Sequence, residues 1–469
     1  MVAADTRCHV ADPELRPCGH GPVTISERAV PKVVAGCGWH PVFIWLLRGV
    51  VMRTRVFSGA VGLLCAALLW GAAGTSQAAG VSGSPGRGPA AVQVGPRPFY
   101  LVAGMQDSAL KTELEGCRGG MFRRTDFSIG HRGAALQFPE HTKESYEAAA
   151  RMGAGIVECD ATFTSDGALV CRHAECDLHT TTNIVATDLN NKCSVPYSGP
   201  GSSPKCCTSD ITLAEFRTLT GKMDASNPAA PDAQGYLGGT ADWRTDLYTG
   251  RGTLMTLDES IALNQRLGVK HTPELKSGDP ARIAAVFGGQ AQYAQALIDH
   301  LQAAGVRPRD AWPQSFNLAD VLYWINNTPA YGRQAVYLVD YDPAAQDTVP
   351  PLPRATLESL KAQGVRIIAP PLPALLAVDD EDRIVPSALA QDLKRLGFDI
   401  ITWTFERSDL RQGASGAGFY YAFDPQGRAV ASDSDMYKAL DVLAMDVGIL
   451  GIFSDWPGTV TYYANCKGL

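Results

Sequence analysis

The chain has 469 residues, 45% hydrophobic and 19% charged, with 41 basic side chains against 48 acidic ones and a net charge of −7. That length is about three times the ~150-residue domain norm, and the composition excludes whole-chain disorder and collagen-like repeats. A pI near 5.7 excludes a general basic surface for wrapping nucleic acid, while leaving room for a local basic pocket that holds one phosphate.

The first segment with a recognisable use is a leader. From Met52 the order is a basic stretch (Arg53, Arg55), an apolar run over 56–70, then small residues. Ser76-Gln77-Ala78 has the small-x-small form of a secretory cleavage site, so residues 52–79 read as a signal peptide cut near Ala78 or Ala79. The apolar run is shorter than the ~20 residues a spanning helix needs. Leu64 before Cys65 is too large for lipoprotein processing. Residues 1–51 carry Cys8, Cys18 and Cys37 without any steady period, and are expected to be an over-extended reading frame. The product is therefore expected to be secreted or periplasmic, with membrane contact at most peripheral.

Residues 80–96, rich in Gly, Ser, Pro and Ala, read as a flexible linker. From 97 to 469 short β-rich runs alternate with helical patterns. Strands are predicted at 127–130, 155–161, 168–172, 269–275, 312–316, 335–339, 366–369, 399–405 and 449–453. Helices are predicted between them, at 143–152, 257–267, 281–304, 386–396 and 436–445. Such alternation implies an α/β fold with a parallel sheet under covering helices. The nine strands exceed a (β/α)8 barrel by one. The short link Thr164-Ser-Asp-Gly167 accounts for the surplus: Asp-Gly signals a two-residue hairpin, which pairs residues summing to 333 and sets His173 opposite Asp160. One strand is then an antiparallel return and eight remain for the barrel. The 177–253 stretch is a long Thr-, Asn-, Ser-, Pro- and Gly-rich insertion, of the kind that elaborates a functional face.

Eight cysteines follow the leader: Cys117, Cys159, Cys171, Cys176, Cys193, Cys206, Cys207 and Cys466. In an oxidising compartment an even set favours disulfides. A Cys117–Cys466 staple would join the ends of the domain, and Cys193 with Cys206 or Cys207 would close a loop in the insertion.

Acidic and imidazole side chains gather at strand ends. His131 and Arg132 follow the first strand, with Glu140 and His141 on the next loop. Alternation points Glu158 and Asp160 to one face of the second strand, and Glu274 and Lys276 repeat that spacing. Three carboxylates converging on one barrel mouth need a compensating cation, and a hard divalent ion, Ca2+ or Mg2+, meets that need with oxygen ligands. His131 and His173 can trade a proton across a reacting centre, while Arg132 and Lys276 suit a phosphoryl group. Each residue alone has an ordinary structural use; their joint placement points to phosphoester cleavage.

The run Ile129-Gly-His-Arg-Gly-Ala-Ala-Leu-Gln-Phe-Pro-Glu-His-Thr142 resembles the opening motif of glycerophosphodiester phosphodiesterases. The resemblance continues through Gly153-Ala-Gly-Ile-Val-Glu-Cys-Asp160, Thr164-Ser-Asp-Gly-Ala-Leu-Val-Cys-Arg-His173, Thr272-Pro-Glu-Leu-Lys276, Trp403-Thr404 and Phe453-Ser-Asp-Trp-Pro457. It implies a TIM barrel of the phospholipase-C-like phosphodiesterase type. Glu158, Asp160 and Glu274 would hold one divalent ion, and His131 and His173 would be the acid/base pair. Arg132 and Lys276 would bind the phosphate, Glu140 would support the metal or a catalytic histidine, and Trp403 would form an apolar wall for the alcohol. The implied reaction converts a small glycerophosphodiester to glycerol 3-phosphate and an alcohol through a cyclic phosphate. Ala174 stands where many members carry aspartate, so that neighbour's orienting role is either missing or taken by Glu175 or Asp177. Phe419, Tyr420, Tyr421 and Phe423, if exposed at the mouth, would instead suit a phospholipase acting on intact lipid; packed, they form a lid or a loop core. A silent binding barrel and a two-carboxylate glycosidase are the remaining alternatives, and the glycosidase needs no histidine pair.

Overall fold

The computed structural model describes residues 91–341 and 352–469. The upstream stretch and the segment expected to be a signal peptide, with its expected cleavage site, lie outside the described residues. The end of the Gly- and Pro-rich stretch is packed: Gln93 N–H donates to the Arg151 carbonyl, and Val94 is buried.

Among the described residues eleven strands are present: β1 (Thr125–Gly130), β2 (Ala154–Phe163), β3 (Leu169–Cys171), β4 (Lys270–Leu275), β5 (Gln314–Ser315), β6 (Val336–Leu338), β7 (Ile367–Ala369), β8 (Leu376–Val378), β9 (Ile384–Pro386), β10 (Asp399–Phe405) and β11 (Gly451–Ser454). The main sheet runs β1-β11-β10-β7-β6-β5-β4-β2-β3, and β1 also pairs with β2, which closes eight parallel strands into a (β/α)8 barrel. β8 and β9 form a separate antiparallel hairpin. The interior is filled by Ile129, Ile156, Val336, Leu338, Ile367, Ala369, Ile401 and Phe453, a packed layer of branched and aromatic side chains. β2 is buried along its whole length, as a strand covered on both faces must be.

The surplus strand is β3, antiparallel to β2 as expected, but in a different register. Ala161 faces Cys171 and Thr162 faces Val170, so paired numbers sum to 332 rather than 333. The turn holds three residues, not two: Thr164 N–H bonds the Ala168 carbonyl, and Gly167 takes the left-handed conformation (φ 85°) that such a loop demands. Arg172, not His173, therefore meets Asp160, its N–H donating to the Asp160 carbonyl at 2.8 Å. The helical pattern over 281–304 is also two helices, Pro280–Phe287 and Gln290–Ala303, split where Gly288 and Gly289 adopt positive φ.

Helix boundaries follow local capping chemistry. Thr142 caps Lys143–Arg151, and Thr256 with Glu259 forms a capping box on Leu257–Leu267, which ends at left-handed Gly268. All eight described cysteines are paired: Cys117–Cys466, Cys159–Cys171, Cys176–Cys207 and Cys193–Cys206. The first ties the ends of the domain, the second clamps β2 to β3, and the last two staple the insertion. Such a set is the chemistry of an oxidising compartment.

The 177–253 insertion has its own small core, which includes Leu178, Ile184, Phe216, Leu219 and Tyr236. It is bound to the loops after β1: Leu247 N–H donates to the Gln137 carbonyl, and Lys143 N–H to that of Thr253. Inside it the buried Lys222 ammonium donates to the carbonyls of Thr180 (2.6 Å), Met223 (2.7 Å) and Ala225 (2.5 Å). Lys222→Met leaves those acceptors without their donor, and should cost at least ~2 kcal/mol of stability in a urea unfolding curve. An unchanged midpoint would contradict this account of the insertion.

Candidate active site

The site lies at the end of the barrel where the parallel strands terminate. β1 ends at Gly130, and the chain turns at once: Arg132 is left-handed (φ 53°) and Gly133 follows at φ 96°. Gly133 is also required sterically, because a Cβ there would lie 2.3 Å from the Ser145 hydroxyl. A non-glycine residue at positive φ is costly, and the surroundings hold it. Arg132 N–H donates to Glu158 Oε2 at 2.9 Å, and the Arg132 carbonyl accepts from His141 N–H (3.0 Å) and the Ser145 hydroxyl (3.1 Å). This turn sets His131 and Arg132 side by side over the mouth.

β2 and β4 supply the carboxylates. Their register pairs Asp160 with Glu274, and alternation puts Glu158 on the face of Asp160. One oxygen of each of Glu158, Asp160 and Glu274 lies within 4.8 Å of the others, and all three side chains are buried. Two ligands across an ion with ~2.4 Å metal–oxygen bonds lie about 4.8 Å apart, so one hard cation fits. Asp160 Oδ1 is buried without a hydrogen-bond partner, an acceptor left for a ligand. Burial, then the neighbouring carboxylates Asp160 and Glu274, pushes the Glu158 carboxyl well above its usual range. Burial also drives Glu274 up to about 7, against the pull of Lys276. Asp160 is held below its usual range despite burial, chiefly by His141 and Lys276. The donor set suits a divalent ion on chemistry as well as geometry.

Cations and hydrogen bonds brace the cluster. Lys276 Nζ sits 2.7 Å from Glu274 Oε1, Gln314 Nε2 donates to Glu158 Oε1 at 2.9 Å, and His141 Nε2 meets Asp160 Oδ2 at 2.9 Å. Glu140 pairs with Arg132 (2.8 Å) and lies 3.8 Å from Arg407, while its own carbonyl accepts from the buried Arg172. Its carboxylate is thus paired with the arginines of the mouth.

His131 Nδ1 lies 2.5 Å from Asp455 Oδ1, just beyond β11. An ionised carboxylate only accepts, so the shared proton belongs on Nδ1 and Nε2 presents its lone pair, with the Thr404 hydroxyl 3.4 Å away. Burial first, then Arg132 and Arg407, drives His131 well below the ordinary histidine range, which keeps the ring neutral. His173 is pushed down in the same way by burial and then by Arg132, Lys276 and Arg407, the charges of this same mouth. Near it, Asp177 accepts the Ala174 N–H at 3.1 Å, whereas Glu175 turns to Asp279 N–H and Ser209.

Trp403 stacks on Phe419 and meets Phe316 and Tyr420 edge-on. Tyr420, Tyr421 and Phe423 are buried. These aromatics are packed against one another and are not an exposed apolar patch, and no described helix is long and apolar enough to cross a membrane.

His131, Arg132, Glu140, Glu158, Asp160, Glu274 and Lys276 thus meet in one contact network at this end of the barrel. The sequence reading passed over Asp455, Arg407, Asp224, Arg244 and Gln314, and gave His141 no role. Asp455 stood inside the Phe453-Ser-Asp-Trp-Pro457 motif at a strand end, where its signal was readable. Arg407, Asp224 and Arg244 meet through the fold and have no local pattern.

The sequence profile of the Glycerophosphoryl diester phosphodiesterase family matches residues 131–459. An "Extracellular protein" of Arthroderma benhamiae is 38% identical over 255 residues, spanning 53% of this chain and 100% of that protein. A glycerophosphodiester phosphodiesterase of Arabidopsis thaliana is 22% identical over 388 residues, spanning 79% of this chain and 92% of its own length. Among solved structures, a phosphodiesterase of Oleispira antarctica in complex with the product sn-glycerol-3-phosphate is 18% identical, covering 72% of this chain and 96% of its own, with a TM-score of 0.44.

Glu140 and its arginines are buried together, with side-chain exposures of 1% for Glu140, 5% for Arg132 and 7% for Arg407. Removing the carboxylate strips both guanidiniums of a shared counter-charge. Glu140→Ala should therefore lower folding stability by about 3–5 kcal/mol in denaturant unfolding. A loss below about 1 kcal/mol, the scale of an exposed pair, would contradict the buried arrangement.

Proposed function

Because this chain belongs to the glycerophosphoryl diester phosphodiesterase family, we propose that it is a secreted enzyme that hydrolyses small glycerophosphodiesters to glycerol 3-phosphate and an alcohol, with His131 and His173 transferring the protons. The observation that carries this reading is the joint placement of a carboxylate-held histidine, two phosphate-suited cations and three converging carboxylates at one barrel mouth.

His131 Nε2, its lone pair free of the Asp455 contact, takes the proton of the glycerol 2-hydroxyl. That oxygen attacks phosphorus as the bond from phosphorus to the alcohol oxygen breaks. His173 gives a proton to the departing alcohol, and the bound anionic diester favours its charged form. The product of this half is a cyclic 1,2-phosphate. Water then opens the ring with the proton roles reversed, releasing glycerol 3-phosphate. Arg132, buried at the mouth, and Lys276, largely buried beside Glu274, neutralise charge on the phosphoryl oxygens throughout. Glu158, Asp160 and Glu274 would hold one Ca2+ or Mg2+, which supplies further positive charge against the phosphoryl group when bound. Trp403 would bound the space for the alcohol. Secretion is supported by the four disulfides and by the extracellular relative.

The test is release of glycerol 3-phosphate from glycerophosphocholine by disulfide-bonded protein. Wild type should release it with Ca2+ or Mg2+ present and lose activity in EDTA. His131→Ala and His173→Ala should each slow turnover by ~10²–10⁴. No release by folded wild type under any condition would refute the function, and near-wild-type rates in either variant would refute the proton-transfer roles.

A further inference from the structure

The insertion carries two side chains that reach the catalytic end of the barrel. Asp224 Oδ2 accepts from Arg407 Nη2 at 2.8 Å, and its Oδ1 accepts from Arg244 Nη2 at 2.6 Å. The same Arg244 nitrogen donates to the Ala135 carbonyl at 2.6 Å, in the loop that follows His131. From Arg407 the chain of contacts continues inward: Nη1 donates to Asp455 Oδ2 at 3.0 Å, and Asp455 Oδ1 holds His131 Nδ1 at 2.5 Å. Side-chain exposures along this route are 14% for Asp224, 7% for Arg407, 1% for Asp455 and 8% for His131. Solvent screens these contacts little.

We propose that Arg407 and Asp224 are positioning residues for His131, so that the 177–253 insertion completes the catalytic centre instead of merely covering it. The inference rests on the reading of His131 as a proton-transfer group. Asp455 uses one oxygen for the imidazole and the other for Arg407, so the guanidinium fixes the rotation of the carboxylate that aims the ring. A guanidinium is planar and its donors form a rigid fork, so a second anchor on the fork fixes its plane. Asp224 is that anchor, and it is itself braced by Arg244. Glu140, 3.8 Å from Arg407 Nη2, offers the alternative resting place once Asp224 loses its charge. Groups that orient a catalytic histidine in this way act on turnover more than on substrate affinity.

The experiment uses the full chain and glycerophosphocholine turnover, comparing wild type with Asp224→Asn, Arg407→Lys, the double variant, His131→Ala and Arg282→Ala, each with its melting temperature. Asp224→Asn keeps the side-chain shape and should lower kcat by ~10–100-fold with KM little changed, and Arg407→Lys should do likewise. The double variant should be no slower than the slower single one, because both act through one route. Arg282 ties a different edge of the insertion, through Asp210 at 2.9 Å, to the helix Pro280–Phe287, and Arg282→Ala should keep the wild-type kcat. Wild-type kcat in folded Asp224→Asn and Arg407→Lys would overturn the proposal, as would fully multiplicative losses in the double variant or an equal loss in Arg282→Ala. His131→Ala separates the two levels. If it is inactive while Asp224→Asn is normal, this inference alone fails; if it retains full turnover, the catalytic reading fails with it.

Discussion

Three carboxylates share one buried barrel mouth, and the rest of the site is arranged around the cost of holding them there. Glu158 and Asp160 on β2 and Glu274 on β4 come together because parallel pairing and alternation leave them no other direction. Left alone, such a cluster would keep protons or break apart. Around it the fold sets Lys276, Arg132 through its backbone N–H, Gln314 and His141, and still leaves Asp160 Oδ1 without a partner. The same crowding of charge that makes the mouth expensive to fold makes it useful for a phosphodiester, whose developing negative charge needs fixed positive groups that do not have to reorganise.

Stability and function are therefore linked through covalent and ionic staples placed close to the chemistry. Cys159–Cys171 clamps the β2–β3 hairpin between Glu158 and Asp160 of β2 and the approach to His173. Cys176–Cys207 and Cys193–Cys206 stiffen an insertion whose own core is small. Arg97 of the helix Arg97–Gly104 makes a two-oxygen contact with Glu406, the residue before Arg407. The long loops after the strands are thus tied both to one another and to the barrel rim, as a water-excluding site requires.

What could be read from the sequence was whatever local chemistry dictates. The barrel strands were legible because each is a short β-rich run bounded by turn residues. His131, Arg132, Glu158, Asp160, Glu274 and Lys276 were legible because they occupy strand ends within contiguous motifs. The hairpin register was missed by one residue because Asp166-Gly167 suits a three-residue loop as well as a two-residue one, and only the observed Thr164–Ala168 pairing distinguishes them. The 281–304 helix was overextended because apolar periodicity carries across a Gly-Gly break that the backbone does not. Asp224 and Arg407 lie 183 residues apart and meet only through tertiary structure. No periodicity or spacing rule encodes such a contact, so this layer of the site was invisible until the fold was known.

The most direct test of the carboxylate cluster as the organising feature is calorimetric titration of Ca2+ and of Mg2+ into metal-stripped, disulfide-bonded protein, beside Asp160→Asn. The account predicts binding of one ion per chain by the wild type, and its loss in the variant. Absence of binding by folded wild type, or equal binding by Asp160→Asn, would contradict it.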